Sequence, residues 1–341
     1  MHRSLAILLI LGSVTAIGSS AQQPGPPSPA PVAAGLKAQS LPAQAQLKED
    51  WTKLAVDRKF LRPILNGAPL GKEETPDYSR ELVRLEWRRG DPIDMYIVKP
   101  HGVDKPRVVL YLYSFPSDID RFMNPGWCKR ATARGVAAVG FVSALTGDRF
   151  RNRPMKEWFV SQLQESLGSS AHDVQLIIDY LEARGDLSAT QVGMYGQGSG
   201  ASIAILAAAA DPRIRALDLL NPWGDWPDWL KTSPVVPDTE RAQYLTPEFL
   251  RSVSMLDPAA YLPQLADRAL RVQQIADDPD TPSQAREKMA AAVPASGRLL
   301  QFKDMAAHQE AWKTSGLPGW LAAQLLPAAQ PVEQGHEAGP K

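Results

Sequence analysis

Gln191-Val192-Gly193-Met194-Tyr195-Gly196-Gln197-Gly198-Ser199-Gly200-Ala201-Ser202-Ile203-Ala204 is the stretch from which the fold of this 341-residue chain is read. A short apolar run enters a turn with glycine at positions 196, 198 and 200, and the turn opens into an Ala-rich segment of high helical propensity. Glycine accepts positive φ and lets two backbones approach closely. The stretch therefore predicts a strand, a tight turn and a helix. The middle residue of such a turn stands at the end of its strand, where a side chain would project above the sheet. Here that residue is Gly198, which has no side chain to project.

On either side of this unit the pattern repeats. Arg107 to Tyr113 and Gly135 to Val142 are nearly continuous apolar runs, as expected of strands buried on both faces. Gly126 to Arg134 reads as a helix between them. Ala171 to Arg184 carries Val174, Ile177, Ile178 and Leu181 on one helical face. After the Ser199 to Ala210 helix come strands at Ile214 to Leu220, Leu270 to Ile275 and Arg298 to Phe302. Gln309 to Leu326 reads as a closing helix. Glu81 to Trp87 and Ile93 to Val98 alternate around Arg88-Arg89-Gly90-Asp91-Pro92 and read as a hairpin. Trp51, Leu54, Phe60 and Leu61 suggest a helical prelude over Lys48 to Leu65. Strands alternating with helices imply a mainly parallel, doubly wound α/β sheet of about eight strands. Residues 222–265 interrupt the alternation as a lid-like insertion.

The ends differ from this domain, which is expected over 48–326. His2 and Arg3 precede an apolar core from Leu5 to Ile17 and a small-residue site at Ser19-Ser20-Ala21, the plan of a cleaved signal peptide over 1–21. The core is short for a membrane span and interrupted by Ser, Thr and Gly, so no stable membrane anchor is expected after its removal. The chain is read as secreted or periplasmic. Residues 22–47, rich in Pro, Ala, Gln and Ser, and 327–341 are expected to be disordered. Lys plus Arg and Asp plus Glu number 37 each, which gives no electrostatic case for nucleic acid. Cys128 stands alone, so an intrachain disulfide, a C-x-x-C motif and a thiolate metal cluster are excluded.

Together these motifs resemble the α/β-hydrolase superfamily, in its dienelactone-hydrolase-like and serine-aminopeptidase-like groups, over about Glu81 to Leu326. Gly196 to Gly200 matches the nucleophile elbow, with Gly198 at the nucleophile position. Ile275-Ala276-Asp277-Asp278-Pro279-Asp280-Thr281-Pro282 matches the acid loop, with Asp278 at the acid position. His308, after the last strand, matches the histidine. The resemblance implies oxyanion donors at the N–H groups of Phe115 and Ser199. The family's His-Gly after the third strand is replaced by Tyr113-Ser114-Phe115-Pro116, and Pro116 has no N–H.

Losing the side chain at 198 relieves strain and removes the attacking atom together. The first expectation is a degenerate triad in a protein that keeps a ligand pocket for a small molecule or peptide and needs no cofactor and no metal. The alternative is an ester or peptide hydrolase using Ser199 with His308 and Asp278; against it, Ser199 suits a helix N-terminal position. Asp278 also suits plain turn chemistry, and His308 a satisfied loop histidine. Gly196-x-Gly198-x-x-Ala201 matches the dinucleotide fingerprint as well, but late in the chain, with Asp218 inside a strand. Trp223, Trp226 and Trp229 are either anchors of the insertion or, with Tyr113, a ligand-facing aromatic wall. His172 reads as a helix-start residue facing solvent or capping, and His101 as an exposed loop residue.

Overall fold

The computed structural model describes residues 49–61, 66–114, 119–144, 149, 159–315 and 317–326. The expected signal peptide, leader and tail, and Phe115 with Pro116, lie outside the described residues. The chain divides at Gln46/Leu47, and every described residue belongs to the second unit.

Nine strands form one sheet in the order β1-β2-β3-β5-β4-β6-β7-β8-β9. The strands are β1 (Ala68–Glu74), β2 (Tyr78–Leu85), β3 (Ile93–Pro100), β4 (Arg107–Leu112), β5 (Ala137–Phe141), β6 (Ser188–Gln197), β7 (Ile214–Leu220), β8 (Ala269–Ile275) and β9 (Arg298–Phe302). The first three are antiparallel, with Leu85 opposite Ile93 at the hairpin, and β5 to β9 pair in parallel. Because β5 and β6 lie on opposite sides of β4, the winding reverses at β4 and opens a crevice at the carboxyl ends of β4 and β6.

Alternate residues of the central strands serve two cores. Leu110, Met194, Leu217 and Val272 face one, with helices α2 (Leu163–Arg184) and α3 (Ser199–Ala210). Val109, Tyr195, Ala216 and Ile275 face the other, with α1 (Pro125–Thr132) and α10 (Trp320–Leu325). Burial on both faces is the reason these strands lack alternation in the sequence. Between β7 and β8 the insertion forms α4 (Trp226–Thr232), α5 (Asp238–Tyr244), α6 (Pro247–Ser254) and α7 (Pro258–Tyr261). Its Trp229, Val236, Tyr244 and Val253 join the α2/α3 core. Helix α8 (Ser283–Ala291) joins β8 to β9.

Four expectations are corrected. Residues 49–61 form turns, not a helix, because Asp50 and Asp57 draw nearby N–H groups to their own carboxylates and Val56 N–H donates to Gln175 Oε1 at 3.1 Å. An unforeseen strand, β1, lies at the sheet edge with every residue exposed. The closing helix is split into α9 (Met305–Thr314) and α10, with a 3₁₀ turn at Leu317–Gly319. His172 sits buried within α2, its Nδ1 2.6 Å from Glu49 Oε1 and its Nε2 2.7 Å from the Lys53 carbonyl. His101 is exposed, as expected.

Candidate active site

The turn after β6 has the elbow's shape. Gly198 adopts φ 53° and ψ −119° as the N-cap of α3, a conformation that penalises any Cβ. The flanking glycines are required by contact. A Cβ on Gly196 would lie 2.5 Å from Ala201 Cα, and one on Gly200 would collide with the Leu112 carbonyl oxygen. Gly198 N–H donates to the Leu220 carbonyl at 2.9 Å, and its own carbonyl accepts from Ala201 and Ser202 N–H in the first helical turn. Strand, turn and helix are thus locked around a residue that carries no reacting group.

The space above Gly198 is filled by neighbours. A Cβ there would collide with Ser114 Oγ and lie 2.8 Å from Ser114 Cβ and 3.2 Å from Trp223 Nε1. Ser114 reaches this point because it follows β4, whose Leu112 is in register with Gly196. Its hydroxyl is buried and, among the described residues, has no hydrogen-bond partner. Ser199, 2% exposed, opens α3.

Asp278 follows β8 and His308 follows β9, so both occupy the expected places in chain order. They are not bonded to each other. Asp278 Oδ2 accepts from the Thr281 hydroxyl at 2.5 Å. Burial pushes the Asp278 carboxyl up, with the Thr281 bond opposing. His308 lies in the first turn of α9 rather than in a loop, because Asp304 caps that helix by accepting from Ala307 N–H at 2.7 Å. The ring is 8% exposed and its Nε2 has no hydrogen-bond partner. It stands edge-on to Phe302, with ring centroids 5.1 Å apart. Burial lowers the His308 pKa, with Asp218 opposing and Arg271 adding, so the ring is held neutral at pH 7.

His308 opens onto a groove of about 740 Å³ on the α1/α10 face of the sheet, shared with Tyr113 and Gln197. Tyr111 and Tyr195 form its floor, two residues along the same strand faces, with ring centroids 5.8 Å apart. A tyrosine repeating at i and i+2 of a buried strand was the available sequence signal for them. Burial pushes the Tyr113 phenol up to about 12 and those of Tyr111 and Tyr195 higher still, so all three stay protonated at neutral pH. Trp223, Trp226 and Trp229 are instead 1%, 1% and 0% exposed in the opposite core and do not line this groove. Of the two uses the sequence offered for them, the packing observed is that of anchors.

Asp218, the acid that a dinucleotide reading would need, is buried. Arg271 Nε and Gln273 Nε2 donate to it at 2.9 and 2.7 Å, and it lies within β7. It has no route to a ribose.

No protein-family model and no curated protein matches the chain. Solved structures do. The acetyl xylan esterase from Paenibacillus sp. R4 superposes with a TM-score of 0.57 at 15% identity, covering 73% of this chain and 86% of that one. Acetyl xylan esterase 1 from Thermoanaerobacterium sp. JW/SL YS485 gives 0.57 at 12% identity, over 77% and 90%. The Pyrococcus horikoshii acylaminoacyl peptidase gives 0.53 at 13% identity, over 70% of this chain and 39% of that one. At these identities the likeness speaks for the fold, and with the nine-stranded sheet and the elbow after β6 it gives this chain the fold of the α/β-hydrolase superfamily.

Proposed function

We propose that this protein is an exported, non-catalytic member of the α/β-hydrolase fold that binds a ligand without turning it over. The observation that carries the reading is the filled space above Gly198, where Ser114 and Trp223 crowd the position a nucleophilic side chain would need. Covalent catalysis requires a hydroxyl or thiol, a base in reach of it and a group orienting the base. Here Asp278 is engaged by Thr281, and His308 Nε2 has no partner. The competing reading, hydrolysis by Ser199, needs a bond from that hydroxyl to His308 Nε2, and among the described residues that nitrogen has no partner.

Wild-type protein is expected to stay unlabelled by a fluorophosphonate probe and to hydrolyse p-nitrophenyl acetate no faster than His308→Ala. Labelling abolished by Ser199→Ala or Ser114→Ala would overturn the proposal. Export rests on the charged start, the apolar core and Ala21. N-terminal sequencing of protein recovered outside the cytoplasm is expected to begin at Gln22, and a mature chain retaining Leu5 to Ile17 would remove this part of the reading.

A further inference from the structure

The groove below His308 has a chemical character of its own. Its floor is aromatic, made by Tyr111, Tyr113 and Tyr195 from β4 and β6. Trp127 on α1, whose ring meets that of Tyr111 edge-on at 5.2 Å, and Trp312 on α9 also line it. Aromatic side chains lining a groove suit a planar ligand. The volume, about 740 Å³, is in the range of small-molecule sites, roughly 300–1,000 Å³.

The charge on this groove is one-sided. Among the described residues Arg121, Arg130, Arg134 and Lys313 line it, and no Asp or Glu does. The chain as a whole balances acids and bases, so four cations without an acid among the described lining residues is a local excess. All four are exposed, while Tyr113 and Tyr195 are buried. Among the described residues none of the four is paired with a carboxylate, and Arg121 lies over the Tyr113 ring at 4.0 Å. His308 also lines the groove, and among the described residues its buried Nε2 has no partner.

We infer that this groove binds a planar aromatic carboxylate, ring inward against the tyrosines and carboxylate outward among the arginines. The ring gains burial between aromatic faces. The carboxylate stays among the exposed arginines, where guanidinium donors can pair with it without full loss of water. A neutral ring of the same size would keep the stacking and lose the pairing, and a cationic one would meet repulsion. The inference rests on the ligand-binding reading above and names the ligand's class.

The test uses the full mature chain and three matched probes: 2-naphthoate, 2-naphthylmethanol and 2-naphthylmethylamine. Binding is read by calorimetry and by quenching of tryptophan fluorescence. Exposed ion pairs contribute modestly, each about 0.2–1 kcal/mol, so naphthoate is expected to bind about fivefold more tightly than the alcohol, and the amine more weakly than either. The preference for the acid is expected to shrink as NaCl is raised from 50 to 500 mM. Arg121→Gln with Arg130→Gln is expected to bring the acid down to the alcohol's affinity and leave the alcohol unchanged; both positions are exposed, so folding is preserved. Tyr111→Leu is expected to weaken acid and alcohol alike. Equal affinity for acid and alcohol in the wild type, absence of binding, or a preference that survives the double arginine variant would overturn the inference. Turnover is scored separately: fluorophosphonate labelling alongside selective naphthoate binding would defeat the non-catalytic reading and leave the groove assignment standing.

Discussion

Asp173→Ala is expected to cost about 3–5 kcal/mol, the largest stability loss of any single substitution argued for this chain. Asp173 is 0% exposed within α2. Arg88 Nη1 donates to its Oδ1, as does Trp87 Nε1 at 2.9 Å, and Arg149 Nη1 donates to its Oδ2 at 2.6 Å. Arg149 is held from its other side by Asp91, and Arg88 by Glu49. Removing the central carboxylate leaves Arg149 with Asp91, Arg88 with Glu49 and a distant Asp91 at 3.8 Å, and an indole N–H without its acceptor. Breaking a buried pair costs more than the pair was worth, because the remaining charge stays desolvated. Asp173→Asn is expected to cost less, since an amide oxygen can still accept.

The same network gives the protein an acid limit. Burial would raise the Asp173 carboxyl, but Arg149 and Arg88 outweigh it and bring the pKa from 3.8 to about 2. Burial likewise opposes Glu49, yet Arg88 and His172 lower it from 4.5 to about 2. A depressed carboxylate stabilises the folded state fully above its unfolded pKa and loses that contribution as pH falls through the folded one. Stability should therefore drop between about pH 5 and pH 2, by about 2 kcal/mol or more per carboxylate. Urea denaturation midpoints measured across this range check it. Asp173→Asn should flatten the slope, and an unchanged slope in that variant would contradict the assignment.

How much of this was legible in the sequence depended on the range of the forces involved. The turn at 196–200, the β2–β3 hairpin and strands β4 to β9 were legible because local propensity and burial agree there. Edge strand β1 was not: its exposed residues carry no apolar face, and only pairing with β2 makes it a strand. The helix α2 begins at Leu163, ahead of the expected start at Ala171. In the fold Gly168 lets Trp51 pack against the helix, and a Cβ there would lie 2.6 Å from the Trp51 carbonyl oxygen. The helix expected from Gln309 begins instead at Met305, where the Asp304 cap starts it, and so takes in His308. Chain order placed Gly198, Asp278 and His308 after the right strands. It could not show that Ser114 fills the space over Gly198, since that contact depends on the register of β4 against β6. The ion network likewise joins residues 49, 88, 91, 149 and 173, whose spacing carries no local pattern.

Gly198→Ser is the substitution that asks whether only one atom is missing, and it is expected to destabilise the protein by about 2–5 kcal/mol without creating an acyl-enzyme. A non-glycine residue at φ 53° and ψ −119° costs about 1–3 kcal/mol. Overpacking against Ser114, whose Cβ would lie 2.8 Å from the new one, adds about 1–3 kcal/mol. Gly198→Ser with Ser114→Gly should recover the second contribution and retain the first, which denaturation midpoints can resolve. Neither variant should show a burst with p-nitrophenyl acetate. A serine acts as nucleophile only with a base in reach and an acid orienting that base, whereas the Asp278 carboxylate is bonded to Thr281 and His308 has no bond to it. A burst in the double variant that disappears in His308→Ala would mean that the acid and the histidine still assemble once a hydroxyl is present. The loss of activity would then be the loss of one side chain. Stable, unacylated protein would place the loss in the whole constellation, with the His308 ring turned to the use of the groove.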